Sequence, residues 1–295
     1  MTQNQGNKRK AQPDCPSKAD MMESLRRSGY LLESQIVRRL TESGFFVVPN
    51  QSMQDERTGK SREVDVLSEF YNYNPDRQGV CVKTTFVMEI INNAYPFVLL
   101  TRRPLTPNTP SEYYLRYMTT PKEDAPDHFL GSLDIHKVKG IAEWKPFSQF
   151  CAFTRKKDGS ELMAHHPDDV HTSLLKLAEF SLEAVADWDK MLTGDKYWRL
   201  FFWQPLLVLR GNLFVLDEDK QSRLTLKPAS SARLEYNLHY RDRPETISID
   251  VVTEPHLVDH LMGYVRSDDV CATKIFEARS KRINDKPNQP SDRTR

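Results

Sequence analysis

The segment R-E-V-D-V-L-S-E-F (62–70), followed after a turn by V-C-V-K-T-T-F-V-M-E-I-I (80–91), decides the fold of this chain. The first stretch alternates polar and apolar residues as a half-buried strand does, and the second is a longer apolar strand. The connection Y-N-Y-N-P-D-R-Q-G (71–79) is rich in turn-forming residues. Each strand carries an acid between apolar neighbours, Asp65 in the first and Glu89 in the second. A buried charge is costly without a partner, so these two acids are the first candidates for a functional site.

Helical and strand patterns continue on both sides of this strand pair. Apolar residues at helical spacing predict a helix over 21–43, and F-F-V-V-P (45–49) predicts a short strand. The polar stretch 51–61 predicts a loop, and P-F-V-L-L-T (96–101) predicts another strand. Later patterns predict helices over 168–193 and 255–279, with strands over 198–210, 212–216, 233–240 and 247–252. This mixture is typical of α/β or α+β proteins, with the late strands extending the first sheet or packing on it.

The two ends of the 295-residue chain are polar. Residues 1–20 and 280–295 contain almost no large apolar side chains, so they bury too little surface to offset the entropy of ordering. We expect both ends to be disordered and residues 21–279 to form a single domain. An apolar export-signal core and a membrane-length apolar run are both missing from the sequence, so we expect no membrane partner and a cytoplasmic location.

The charge and cysteine content narrow the classes of function. The chain has 42 Lys and Arg against 41 Asp and Glu, a net charge of +1. Proteins that coat duplex DNA electrostatically are more basic, although a local nucleic-acid groove is compatible with this balance. The four cysteines are scattered without a C-x-x-C pair, which excludes a cysteine-built zinc site at ordinary spacing.

A third acid precedes the two strand acids. Glu33 lies in the predicted first helix, so the order along the chain is helix acid, strand acid, strand acid: Glu33, Asp65 and Glu89. Divalent cations such as Mg²⁺ take oxygen ligands, including one or two carboxylates together with water and phosphate oxygens. Such a cation stabilises the charge that develops when a phosphodiester is cleaved. The three acids therefore predict a cation site for phosphodiester chemistry.

These acids stand in motifs that resemble the PD-(D/E)XK, or restriction-endonuclease-like, nuclease superfamily. The motifs are G-Y-L-L-E (29–33), R-E-V-D-V (62–66) and V-M-E-I-I-N-N-A-Y-P-F-V-L-L (87–100). The resemblance implies an α/β fold whose three-layer core of helix, mixed sheet and helices spans 22–103. The strands and helices of 168–279 would extend it. It also implies Glu33, Asp65 and Glu89 as catalytic residues, with Asp65 and Glu89 as ligands of Mg²⁺ or Mn²⁺.

The sequence departs from the superfamily pattern at one position. Where the superfamily has a lysine, two residues after Glu89, this chain has Ile91. Lys83 has the same strand parity but lies roughly 20 Å from Glu89 at about 3.3 Å per residue. Arg62, near the turn before Asp65, is another cation within the motifs. Three further residues are candidates for contacts with nucleic-acid phosphates: Asn93, Arg102 and Arg103.

The predicted function is that of a nuclease-like protein that binds nucleic acid, DNA rather than RNA, and hydrolyses phosphodiester bonds with a divalent metal. Because the lysine is replaced by Ile91, the alternative is a catalytically inactive nuclease fold that binds nucleic acid or a protein, with a homodimer or a protein partner. A third interpretation is an unrelated α/β protein whose strand acids pair with arginines.

Overall fold

The computed structural model describes an α/β protein with two mixed sheets. The described residues are 15–285, except 55–58, 75, 78–79, 102–114, 120–145, 157–158, 192–197 and 219–220. Among them, none of the helices has the length and apolar character needed to cross a membrane.

The helices of the described residues are α1 (Lys18–Ser28), α2 (Tyr30–Glu42), α3 (Asp168–Met191) and α4 (Leu257–Asp285), with a 3-10 turn at Glu254–His256. The first strands are β1 (Phe46–Gln54), β2 (Ser61–Tyr73), β3 (Val80–Ile91), β4 (Phe97–Leu99), β5 (Leu115–Thr119), β6 (Phe150–Arg155) and β7 (Leu162–His165). The later strands are β8 (Trp198–Leu209), β9 (Leu213–Glu218), β10 (Leu224–Ala229), β11 (Ser231–Tyr240) and β12 (Arg243–Thr253).

The larger sheet has seven strands in the order β1-β2-β3-β8-β12-β11, with β5 also paired to β8. The pairs β1–β2, β2–β3 and β11–β12 are antiparallel, whereas β3, β8 and β12 are parallel neighbours. The carboxyl ends of these three parallel strands therefore lie at one edge of the sheet. The register sets Glu89 beside Leu207 and Ile91 beside Leu209. The C-terminal strands thus extend the first sheet through direct pairing of β8 with β3.

The smaller sheet has five strands in the order β10-β9-β4-β6-β7. Its only parallel pair is β4–β9, and the other pairs are antiparallel. β4 belongs to this sheet, although the predicted nuclease-like core of 22–103 includes it. The sheets share a buried apolar cluster that contains Phe97 and Leu213 of the smaller sheet with Val87 and Leu207 of the larger one.

Helices cover both faces of the larger sheet. On one face, buried apolar residues of α2 and α4, among them Ile36, Leu40 and Leu261, pack on Phe86 and Met88 of β3. On the opposite face, α3 packs on Val87 and Leu207 through four buried apolar residues: Val170, Leu174, Leu177 and Ala178. Burial of such side chains stabilises each contact by roughly 1.5–3 kcal/mol per large residue. The result is a helix–sheet–helix arrangement around β3.

Several element bounds differ from the sequence predictions. The helix predicted over 21–43 is broken at Gly29, whose φ of 92° is outside the helical range. β1 runs through part of the predicted loop 51–61, because its polar residues pair with β2. Residues 18–20 and 280–285, in the ends predicted to be disordered, belong to α1 and α4. Strands β5, β6, β7 and β10 were not predicted, and residues 1–14 and 286–295 lie outside the described residues.

Candidate functional site

The candidate site lies at the carboxyl end of β3, where the strand acids of β2 and β3 come together. The Asp65 carboxylate accepts a hydrogen bond of 2.7 Å (Oδ2 to N) from the backbone N–H of Ile90. This bond holds the Asp65 side chain beside the backbone that carries Glu89. The Glu89 side chain is 3% exposed. Eight residue pairs, from Val66–Met88 to Tyr73–Cys81, fix the register of β2 and β3. The pairing of the two strands therefore places the two acids close together.

A positively charged side chain, that of Lys176, extends into this site from helix α3. The Nζ atom of Lys176 lies 2.6 Å from Oε1 of Glu89, and it also donates a hydrogen bond of 3.1 Å to the backbone carbonyl of Glu63. Lys176 follows the buried residue Leu174 and precedes Leu177, so packing of the helix fixes the position of the ammonium group. The charged residue in the apolar run S-L-L-K-L-A is the sequence signal that could have identified it.

The electrostatics of the three acids show that they interact. Burial raises the pKa of Glu89 to about 7, and the nearby Asp65 carboxylate raises it as well, while Lys176 and Ser173 lower it. Burial also raises the pKa of Asp65, against the hydrogen bond from Ile90 and the charge of Lys176. Repulsion and desolvation therefore exceed the attraction of Lys176. Carboxyl groups whose pKa values are raised in this way are common at functional sites.

Glu33 completes the set from the helix side. Burial raises its pKa, Asp65 raises it further, and Lys176 lowers it. Gly29 begins α2 one turn earlier, and Oε1 of Glu33 lies 3.8 Å from the point where a Cβ on Gly29 would stand. The Cβ of Asn92 lies 3.4 Å from the same point. Glu33 is thus next to the residue that follows β3, and the carboxylate cluster (Glu33, Asp65 and Glu89) shares one region with Lys176.

The other positively charged residues considered for this site, Lys83 and Arg62, form ion pairs with other glutamates. Lys83 is paired with Glu69, with Nζ 2.5 Å from Oε1. Arg62 is paired with Glu179 of α3, with Nη1 2.7 Å from Oε2. Ile91 packs its side chain against the apolar cluster under α3. The cation that contacts Glu89 is Lys176, which comes from α3 and not from position 91.

Of the three residues predicted to contact nucleic acid, Asn93 alone lies among the described residues. Asn93 donates from Nδ2 to the carbonyl of Tyr95 (2.7 Å) and accepts at Oδ1 from the backbone N–H of Gly211 (2.9 Å). Its side chain thus joins the ends of β3 and β8, and a role in binding nucleic acid stays a prediction. Arg102 and Arg103 lie outside the described residues.

The donor atoms suit a hard divalent cation, although they are not gathered as ligands. Within the described residues, no group of three or more His, Cys, Asp or Glu side chains has an arrangement that could hold a metal ion. Oε1 of Glu89 is buried without a hydrogen-bond donor at good geometry among these residues, so its contact with Lys176 is an ion pair. The carboxylate oxygens of Glu89 and Asp65 are of the type that Mg²⁺ or Mn²⁺ takes as ligands.

Comparison with protein-family models, with curated proteins and with solved structures finds no match to this chain. The fold class that the structure defines is an α/β protein with two mixed sheets. The relation to the PD-(D/E)XK superfamily stays a prediction that depends on the motifs.

Proposed function

We propose that this protein is a nuclease-like enzyme that binds nucleic acid, preferentially DNA, and hydrolyses phosphodiester bonds with Mg²⁺ or Mn²⁺. The observation that carries the proposal is the position of Lys176, whose ammonium group lies 2.6 Å from the Glu89 carboxylate. The restriction-endonuclease-like motifs lack a lysine at position 91, and that gap was the main argument against catalysis. A cation from α3 at the same carboxylate removes this objection.

The residues of the chain have separate roles in this proposal. Asp65 and Glu89 would hold the divalent cation, and Glu33 would add a third carboxylate at the rim of the site. The cation supplies Lewis-acid stabilisation of the negative charge on the phosphate group. Lys176 contributes a positive charge and up to three N–H donors, which can contact a phosphate oxygen or orient the attacking water. In the structure described, the ammonium group of Lys176 is held at this site by Glu89 and by the backbone carbonyl of Glu63.

Cleavage assays on single variants test these roles. Full-length protein is incubated with fluorescently labelled double-stranded DNA in Mn²⁺, Mg²⁺ or a chelator. We expect metal-dependent cleavage by the unmodified protein, its loss in Asp65→Asn, and a decrease of about 100-fold or more in Lys176→Met, the scale of one lost charge-stabilising group. Cleavage that persists in Asp65→Asn would assign the activity to another site or to a contaminating enzyme.

Lys83→Met is the matched control for Lys176→Met. Each variant removes a lysine that is paired with a glutamate on the same face of the sheet, Lys83 being buried and Lys176 partly buried. A similar loss of stability is expected in both, because each leaves a carboxylate without its partner. Only Lys176→Met should lose cleavage. Equal losses of cleavage in the two variants would show that the effect is structural.

A second candidate function is a binding module without catalysis, for nucleic acid or for a protein. The observation that favours it is the same ion pair, since a carboxylate neutralised by Lys176 does not need a metal ion. Titration calorimetry with Mn²⁺ separates the two candidates. Binding that disappears in Asp65→Asn supports the enzyme, whereas no Mn²⁺ binding together with intact DNA binding supports the module.

A further inference from the structure

A cavity opens at the carboxyl ends of β8 and β12. Its volume is about 370 Å³, within the range of small-ligand pockets. Its walls come from the end of β8, from the β10–β11 connection and from the 3-10 turn after β12, and they include Arg210, Gly211, Ser230, Thr253 and His256. We call this cavity the Arg210 pocket. Ligands of open α/β sheets bind in crevices outside the carboxyl ends of strands, which is where this pocket lies.

The pocket is joined to the carboxylate cluster by a chain of contacts. The Arg210 side chain donates from Nη1 to Oδ1 of Asn92 over 2.8 Å. Asn92 in turn donates to the carbonyls of Arg26 and Arg27 at the end of α1, and its Cβ is close to Gly29 beside Glu33. Asn92 therefore lies between the carboxylate cluster and the pocket and holds the guanidinium group in place.

The register of the sheet gives the spacing between the two sites. Glu89 is paired with Leu207, and Arg210 comes three residues later at the end of β8. At about 3.3 Å per residue, Arg210 is about 10 Å further along the strand direction than Glu89. One strand of DNA advances about 3.4 Å per nucleotide along the helix axis, so this spacing corresponds to about three nucleotides.

The polar groups of the pocket suit a phosphate and a sugar. The Arg210 side chain is exposed, and its guanidinium N–H groups other than those of Nη1 have no partner among the described residues. Arginine binds phosphate oxygens through such paired donors. His256, also exposed, shares a contact of 2.8 Å between its Nδ1 and Oγ1 of Thr253, which orients the ring and leaves Nε2 for a ligand. Pro228, Ala229 and Pro255 give the remaining wall an apolar character that can contact a base.

We propose that the Arg210 pocket binds a nucleotide of the same nucleic-acid strand whose phosphodiester lies at the carboxylate cluster. Arg210 contacts the phosphate. Because the Thr253 hydroxyl donates to the carbonyl of Ser230, Nδ1 of His256 donates to Thr253, and Nε2 accepts a hydrogen bond from the base or the sugar. This inference rests on the proposed function, because it extends the path of the same strand. It adds a subsite a few nucleotides away that fixes where the scissile bond lies.

The test measures binding apart from cleavage. Fluorescence anisotropy follows a labelled single-stranded oligonucleotide with full-length protein in a chelator, so that metal-dependent hydrolysis does not interfere. Arg210→Ala and His256→Ala are each expected to weaken binding about tenfold. Arg210→Ala should also lower the salt slope by about one, as expected for one lost phosphate contact. The two variants alter exposed side chains on different elements, so a folding defect in one does not affect the other.

Arg243→Ala is the matched control. Arg243 is an exposed arginine at the amino end of β12, opposite the end that forms the pocket. Its removal should change binding less than twofold. An equal loss in Arg243→Ala and Arg210→Ala would indicate diffuse electrostatic binding and overturn the proposal. Unchanged binding in both pocket variants, or no binding of the oligonucleotide by the unmodified protein, would also overturn it.

Two further readouts separate the pocket from the proposed function. A nucleoside 5′-monophosphate should compete with the oligonucleotide for the unmodified protein and fail to compete for Arg210→Ala. Competition that is the same for both proteins would contradict the assignment. If binding depends on Arg210 but no metal-dependent cleavage is found, the pocket is retained and the enzyme proposal fails. If cleavage depends on Lys176 but binding does not depend on Arg210, the enzyme is retained and the pocket fails.

Discussion

Substitution of Glu89 by glutamine should stabilise the metal-free protein at alkaline pH. Two effects compete in this variant: Glu89→Gln removes the ion pair with Lys176, and it also removes a desolvated carboxylate that is repelled by Asp65. The pKa of Glu89 is raised from 4.5 to about 7, so the unfavourable effects exceed the ion pair. At about 1.4 kcal/mol for each pH unit, the ionised Glu89 costs the folded state about 3 kcal/mol.

The pH dependence has a defined sign. The folded state keeps the Glu89 proton between pH 4.5 and about 7, whereas the unfolded state releases it above its ordinary pKa of 4.5. The folded state thus binds more protons in this window, and its stability decreases as the pH rises. Glutamine resembles the protonated acid throughout. The gain in the free energy of unfolding should therefore be near zero at pH 4.5 and reach about 3 kcal/mol above pH 7.

Urea unfolding of the two proteins between pH 4.5 and 8.5 measures this gain. Asp268→Asn is the matched control, because Asp268 is a second buried acid whose pKa burial raises to about 7, against a hydrogen bond from Thr84. It lies on α4, on the other face of the sheet, and its substitution should also stabilise the protein at high pH. Mn²⁺ at about 100 times its dissociation constant should add about 2.7 kcal/mol to the stability of the unmodified protein and of Asp268→Asn, and less to Glu89→Gln. A Glu89→Gln variant that is less stable than the unmodified protein at pH 8 would refute the reasoning, because the ion pair would then be the larger effect.

Two further predictions concern the fold around the site. Asp250→Ala should lower the free energy of unfolding by about 3–5 kcal/mol in urea titrations, because it leaves the buried guanidinium group of Arg233, 2.8 Å from Asp250, without its main partner; a loss below about 1 kcal/mol would contradict this. Gly29→Ala should cost about 1–2 kcal/mol through its φ of 92°, together with a small contribution from the new Cβ, which would lie 3.4 Å from Asn92. Gly44→Ala, with a φ of 88° and nothing within 4 Å, measures the strain alone, and thermal unfolding that shows Gly29→Ala to be more stable than the unmodified protein would contradict the expectation.

The sequence predicts the elements that carry strong local patterns. The predicted strand over 80–91 has the same bounds as β3, because a run of mostly apolar and β-branched residues pairs on both sides in the centre of a sheet. β1 is different, since its residues from Asn50 to Gln54 are polar except for Met53 and follow no alternation. These residues form a strand because β2 offers hydrogen bonds along its edge, and that information is not local. Gly29 was missed for the opposite reason, because the apolar helical spacing continues across it.

The sequence likewise indicates one part of the candidate site, the acids, and does not indicate the other part, the lysine. The motifs identified its three acids, and the structure brings Asp65 and Glu89 together as the strand order predicts. The motifs do not indicate Lys176, because this lysine lies on a helix far along the chain that meets β3 only in the folded protein. Lys83, the lysine with the same strand parity as Glu89, is paired with Glu69 instead.

Because Lys176 comes from α3, the candidate site extends beyond the predicted nuclease-like core of 22–103. Residues 22–103 contain all three acids and all the recognised motifs, but they contain neither α3 nor β8, the strand that pairs with β3 along its whole length. Without α3 the Glu89 carboxylate would lose the only cation that contacts it among the described residues. The ammonium group is held by Leu174 and Leu177, which pack in the apolar cluster beneath the helix. Any change that shifts α3 on the sheet would therefore shift the charge balance of the candidate site, so the packing of the sheet and the electrostatics of the site depend on the same helix.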